Sequence, residues 1–171
     1  MPKFTWIFFI VWLTTGCLTA SFARAQDANG RDDFSFFVGH MLPNQIEGVT
    51  EILPVFGGRY AFAGSFGALE VGGQNSHAQG VDFTTLTVDV RGEIPVAQGI
   101  SGLIYAGPVL NYYSQKNTSN RLTEYGLEVG VGAMMLVSDT LWLRGDLKFM
   151  GGPGTSLYLL FGLAFRTSAG Q

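Results

Sequence analysis

The run over residues 123–137 constrains this chain more than any other stretch. One set of alternate positions reads Thr123, Tyr125, Leu127, Val129, Val131, Ala133, Met135, Val137, and the other reads Glu124, Gly126, Glu128, Gly130, Gly132, Met134, Leu136. A helix, turning 3.6 residues at a time, would scatter both sets around its circumference. A strand puts successive side chains on opposite faces, so it separates them into an apolar face and a face of glycine and charge. The run is therefore expected to be a β-strand with two unlike sides.

Three further segments repeat this pattern. Leu141, Leu143, Leu147 and Phe149 alternate with Trp142, Arg144, Asp146 and Lys148. Leu157, Leu159, Phe161, Leu163 and Phe165 alternate with Ser156, Tyr158, Leu160, Gly162, Ala164 and Arg166. Thr84, Leu86, Val88, Val90 and Ile94 alternate with Thr85, Thr87, Asp89, Arg91 and Glu93. Fainter segments bring the expected strands to eight: 34–42, 54–62, 67–73, 81–93, 101–113, 122–137, 140–150 and 155–166. Turn-forming residues separate them: Asn75-Ser76 with Gly80, Gln98-Gly99, Lys116-Asn117 with Asn120, Ser138-Asp139, and Gly151-Gly152-Pro153-Gly154. In the longest gap, 43–53, Ile46, Val49, Ile52 and Leu53 allow either one helical turn ended by Pro54 or a plain loop. An even number of alternating strands about ten residues long is the signature of a transmembrane β-barrel. The expected fold is all-β, a closed antiparallel barrel.

A soluble barrel also alternates, with its apolar side inward. The non-apolar face decides the question, because a face in water should be crowded with Lys, Glu, Ser and Thr. Here it mixes glycine with charges of both signs. In the registers above the inward set is Arg59, Glu70, Asp89, Arg91, Glu93, Glu124, Glu128, Arg144, Asp146, Lys148 and Arg166, six acids against five bases. Near balance is what an enclosed interior needs, since unpaired buried charge is expensive. Glycine suits the crowding inside eight strands. The apolar face then meets lipid, and the charged set forms an ion-pair network in the lumen. With the sixth hairpin turning at Val137-Ser138-Asp139, Leu136 would oppose Thr140. Gly132 would then face Arg144, Gly130 would face Asp146, and Glu128 would face Lys148 as a direct ion pair. Arg144 would reach Glu124, Glu128 or the Asp89/Glu93 pair.

The first residues are expected to be a leader. Lys3 precedes an apolar core over 4–13, and Ala23-Arg24-Ala25 has the A-x-A form of a signal peptidase site. That core is about half of the roughly 20 residues a spanning helix needs. Thr14-Thr15-Gly16-Cys17 offers a rival lipoprotein reading, with Thr at the usual Leu position. Cleavage after Ala25 removes the single cysteine, so neither disulfide nor thiolate chemistry is expected. Residues 1–25 are thus expected to be a signal peptide and 26–171 one barrel domain. The chain carries ten Lys plus Arg against thirteen Asp plus Glu, and Lys3 and Arg24 fall in the leader. This acidic balance, without a basic patch, argues against nucleic acid as a partner.

The signal peptide, the eight alternating strands and the last strand Leu157-Tyr158-Leu159-Leu160-Phe161-Gly162-Leu163-Ala164-Phe165-Arg166 resemble the small outer-membrane β-barrels of the OmpA/OmpX type. The likeness covers nearly all of the mature chain as a pattern. Such families finish on an aromatic residue, whereas here Arg166 to Gln171 follow Phe165. The resemblance implies an outer-membrane location, with outer-membrane lipid, lipopolysaccharide and the barrel-assembly machinery as partners. No further domain is expected after the barrel. A monomer is expected, because closure abolishes free edges.

Catalytic and metal chemistry find little support. His40 shares the parity of Phe36 and Val38 and should face lipid or the interface, and His77 is expected at a loop tip. Neither shows the serine-paired pattern a lipid-modifying enzyme of this fold requires. Asp32-Asp33 reads as a solvated lead, and Glu124 and Glu128 stand about 13 Å apart at strand rise, too far to share one cation. No cofactor or metal is expected. Tyr112, Tyr113 and Tyr125 should gather at one rim, with Phe165 and Phe62 at the other, as interfacial girdles. The expected function is a non-enzymatic outer-membrane barrel with a structural, adhesive or envelope-integrity role and a plugged lumen. The other readings are a narrow pore or hydrophobic-ligand conduit, a lipid-modifying enzyme, and a soluble periplasmic ligand-binding barrel.

Overall fold

Each of the eight alternating segments is a strand. The computed structural model describes residues 32–44, 51–64, 67–78, 80–115, 121–152 and 155–167. The strands are β1 (Asp33–Asn44), β2 (Leu53–Gly64), β3 (Gly67–Ala78), β4 (Val81–Ala97), β5 (Ile100–Gln115), β6 (Arg121–Ser138), β7 (Leu141–Gly151) and β8 (Thr155–Arg166). The expected leader with Cys17, residues 45–50 and the Lys116-Asn117 turn lie outside the described residues. Every strand pairs antiparallel with its chain neighbour, and β8 closes back on β1. Following partners from Asp33 through Ala61, Glu70, Asp89, Gly107, Glu128, Met150 and Ser156 returns to β1 at Pro43, a stagger of ten residues. Such a stagger obliges the strands to tilt, and eight of them leave an interior that side chains just fill.

The rim carrying Asp32 and Thr167 is here called the near rim, and the opposite one the far rim. β3 runs on through Asn75 and Ser76, which the sequence suggested as turn residues. Of the expected turn residues it is Gly80 that lies at the bend, and its φ of +77° falls in the left-handed region that glycine enters without steric cost. Gly99 does the same at the β4–β5 turn, with φ +73°. The β6–β7 hairpin differs from expectation by two residues. The turn is the tight Asp139-Thr140 pair, and a register shift between Leu136 and Ser138 leaves one extra residue on β6. Leu136 therefore opposes Trp142, Gly132 opposes Asp146, Gly130 opposes Lys148, and Glu128 opposes Met150. A bulge of this kind inserts one residue and re-phases the side chains beyond it.

Burial is inverted relative to a protein that folds in water. Lys148 is 2% exposed and Glu128 1%, while Phe36 is 58% and Leu127 69% exposed. Tyr112 and Tyr125 face outward towards the far rim, and Phe34, Phe62 and Phe165 towards the near rim. Tyr113 departs from the expected girdle. Its ring turns inward and packs edge-on against buried Phe83, 4.9 Å between centroids.

Candidate functional site

The inward parity of six strands delivers charged side chains to one level of the barrel, towards the near rim. Glu70 on β3 sits at its centre. Its carboxylate accepts hydrogen bonds from Arg144 (2.7 and 3.1 Å), Arg91 (2.8 Å) and Arg59 (3.2 Å), side chains from three other strands. Asp146 meets Arg144 at 3.0 Å and Arg59 at 3.2 Å. Arg91 reaches Asp33 on β1 at 2.5 Å, and Arg166 on β8 lies 3.8 Å from Asp33 and 2.5 Å from Glu93. Four carboxylates and four guanidiniums thus form a continuous set. Guanidinium suits the task because its planar fork presents several donors at fixed angles, so one arginine bridges two acids.

A second group lies one level further from the near rim. Lys148 donates to Glu128 at 2.6 Å, although the two are diagonal neighbours rather than directly opposed. Asp89 on β4 is fully buried and lies across Gly107 from Glu128. Aromatic rings line the cations. Arg59 stands over Phe37 at 4.2 Å, Arg166 over Trp142 at 4.5 Å, and Lys148 over Tyr105 at 5.1 Å. These contacts offset part of the cost of removing the charges from water. Tyr105 has room to lie across the interior only because Gly130 is its cross-strand partner. A Cβ at Gly130 would sit inside the tyrosine ring.

Apolar side chains pack against this charged level. Towards the far rim, Met41, Leu53, Val55, Phe83, Val109, Met150 and Tyr158 pack together. Leu103 and Met134, in register with Glu93 and Arg144, pack with Ala164, Trp142 and Tyr105 among the charged groups themselves.

Of the expected interior residues, Arg59, Glu70, Arg91, Glu93, Arg144 and Asp146 join the first group, and Asp89, Glu128 and Lys148 form the second. Three expectations change. Glu124 lies near the far rim opposite Asn111 and joins none of the ion pairs among the described residues. Arg144 does not reach Glu124, Glu128 or Asp89 and Glu93; the two-residue shift of β7 aims it at Glu70 and Asp146. Asp33 was read as solvated, yet it is 1% exposed and bonded to Arg91. Its parity with Ser35 and Phe37 was the available signal, had β1 been started one residue earlier. Neighbouring Asp32 accepts from the Tyr60 hydroxyl and the Ala63 amide, and its carbonyl accepts from the Thr167 amide, tying the strand ends at the near rim.

The histidines stay outside the barrel. His40 faces outward. His77 is not at a loop tip but on β3, where its Nδ1 contacts Asp82 across the strand pair on the exposed face. Ser114 pairs with Asp82 from β5, on the side away from His77. A hydroxyl–imidazole relay needs the histidine between serine and acid, and this order of strands places the acid between them.

No family model matches this chain, and no curated protein matches it. Solved structures do. Neisserial surface protein A superposes with a TM-score of 0.69 at 11% identity, covering 78% of this chain and 96% of that one. The N-terminal β-barrel domain of Pseudomonas aeruginosa OprF gives 0.66 at 14% identity, covering 81% and 98%. Ail, the attachment invasion locus protein of Yersinia pestis, gives 0.54 at 15% identity, covering 81% and 99%. At such identities the likeness is one of fold: the chain has the closed eight-stranded architecture of the small outer-membrane barrels.

Proposed function

We propose that this protein is an outer-membrane β-barrel that presents its outer surface and far-rim loops to other molecules, and whose lumen is plugged. One observation carries this reading. The charged level ties β1, β2, β3, β4, β7 and β8 together through side chains alone, and an apolar cluster packs on its far-rim side. A conducting pore needs a hydrated path, whereas here a balanced, buried ionic set and an apolar cluster occupy successive levels of the interior. The exposed apolar faces of all eight strands support a lipid surrounding. The role is structural or adhesive, and the far-rim loops are the contact region. It is read as non-enzymatic, which the separation of His77 from Ser114 supports.

Two measurements test the proposal. Membrane fractionation should recover the protein with the outer membrane, and recovery in the soluble periplasmic fraction would overturn the location. In planar bilayers the refolded protein should conduct poorly. Large, steady conductance would refute the plug and favour the narrow pore.

A further inference from the structure

We propose that the interior binds one proton, shared between the carboxyl groups of Asp89 and Glu128 beside Lys148. The inference concerns the second charged group and does not depend on where the protein resides. The first group is balanced, four carboxylates to four guanidiniums, and Glu70, the carboxylate directly opposite Asp89 on β3, is wholly engaged by its arginines. The second group has two carboxyls and one ammonium. Lys148 donates to Oε1 of Glu128, leaving Oε2 without a protein partner. Asp89 is 0% exposed, and neither of its oxygens finds a protein donor.

Among the described residues no cation bonds to Asp89. From β5, the register places Gly107 against it, close enough that a Cβ there would strike the carboxylate. Glu70 stands opposite it on β3, and Glu128, which holds Lys148, lies beyond Gly107 on β6. Arg59 on β2 directs its Nη1 to Glu70 and Asp146. The Tyr105 hydroxyl is likewise unpartnered. An uncompensated negative charge at a site closed to water is expensive, and the usual response is uptake of a proton. The register sets Asp89 and Glu128 on either side of Gly107, which has no side chain to part them, and two carboxyl groups so placed attract each other only when one of them carries hydrogen. A shared proton satisfies the count: one ammonium, one carboxylate and one carboxylic acid bonded to it.

The consequence for pH follows from linkage. Above about pH 5 an unfolded aspartate has lost its proton, whereas the folded pair keeps one. Raising the pH then favours the unfolded state until the folded pair also lets go, and the effect levels off. Over that range the unfolding equilibrium constant of wild type should rise about tenfold per pH unit relative to Asp89→Asn. Asparagine keeps the shape without the charge, so Asp89→Asn should match or exceed wild-type stability at neutral pH. Urea unfolding in lipid vesicles between pH 5 and 9 measures both. Infrared spectroscopy of wild type at neutral pH should show a protonated carboxyl band, absent from both Asp89→Asn and Glu128→Gln. This readout keeps the proposal testable if either variant fails to fold. A wild-type spectrum without the band would refute the shared proton. So would equal pH slopes for wild type and Asp89→Asn, or a wild-type stability that follows sodium or potassium concentration instead of pH.

Discussion

Replacing Glu70 by glutamine should damage this barrel more than any other single neutralisation in its interior. Glu70 is held by three arginines at 2.7, 2.8 and 3.2 Å. At an effective dielectric near 20, each contact represents about 5–6 kcal/mol of gross Coulomb attraction, or roughly 17 kcal/mol together. Most of that is offset by the desolvation of the carboxylate, which the variant no longer has to bear. What remains is the penalty of three guanidiniums that have lost their common acceptor. Removing one partner of a single buried pair costs about 3–5 kcal/mol, so Glu70→Gln should reach the upper end of that range or pass it. The contrast is Asp82→Asn, whose His77 contact is more than half exposed, where a loss of about 0–1 kcal/mol is expected. Urea titration of folded protein in lipid vesicles compares the two directly. A Glu70→Gln barrel within about 1 kcal/mol of wild type would show that the ionic level contributes little to holding the strands, and the argument for a plug would fall with it.

Three further outcomes are expected. Val129→Arg, on the outward face of β6 midway along the barrel, should cost about 2–4 kcal/mol in a bilayer; assembly equal to wild type would contradict a lipid-facing β6. Gly130→Leu should block folding by striking Tyr105, and the double variant with Tyr105→Gly should recover it, scored by the shift in gel mobility on heating. If Gly130→Leu folds unaided, the packing of Tyr105 over Gly130 is not required. On intact cells a tag at Asn117, between β5 and β6, should be accessible and one at Gln98 shielded; the reverse would invert the proposed orientation.

Strand positions were largely legible because the signal is local. The run over 123–137 writes its two faces into alternate residues, and β6 duly spans Arg121–Ser138. β3 was cut short at 73 because Asn75 and Ser76 look like turn formers, yet ladder pairing with Phe56 and Val55 keeps them extended. Parity alone placed Arg59, Glu70, Asp89, Arg91, Glu128, Arg144, Asp146 and Lys148 inside. Partners were another matter. Arg144 and Glu70 are separated by 74 positions and meet across the barrel, and nothing in either neighbourhood announces the other. The Glu128–Lys148 contact was anticipated through a directly opposed register that does not occur. It forms because a lysine stem is long enough to reach a diagonal neighbour.

From the sequence alone came most of what depends on a period of two: eight strands, the side taken by residues within them, an apolar exterior and a near-neutral interior, with Tyr113 and Asp33 as the departures. The side chain at position i needs only its own strand to know inside from outside. Which interior charges meet depends on the stagger of ten residues accumulated around the ring, to which every hairpin contributes. The bulge at Leu136/Ser138 shows how little is needed to change it. One unmatched residue beside a two-residue turn moved all of β7 along β6, and carried Arg144 from the acids first expected to the one carboxylate that three arginines share.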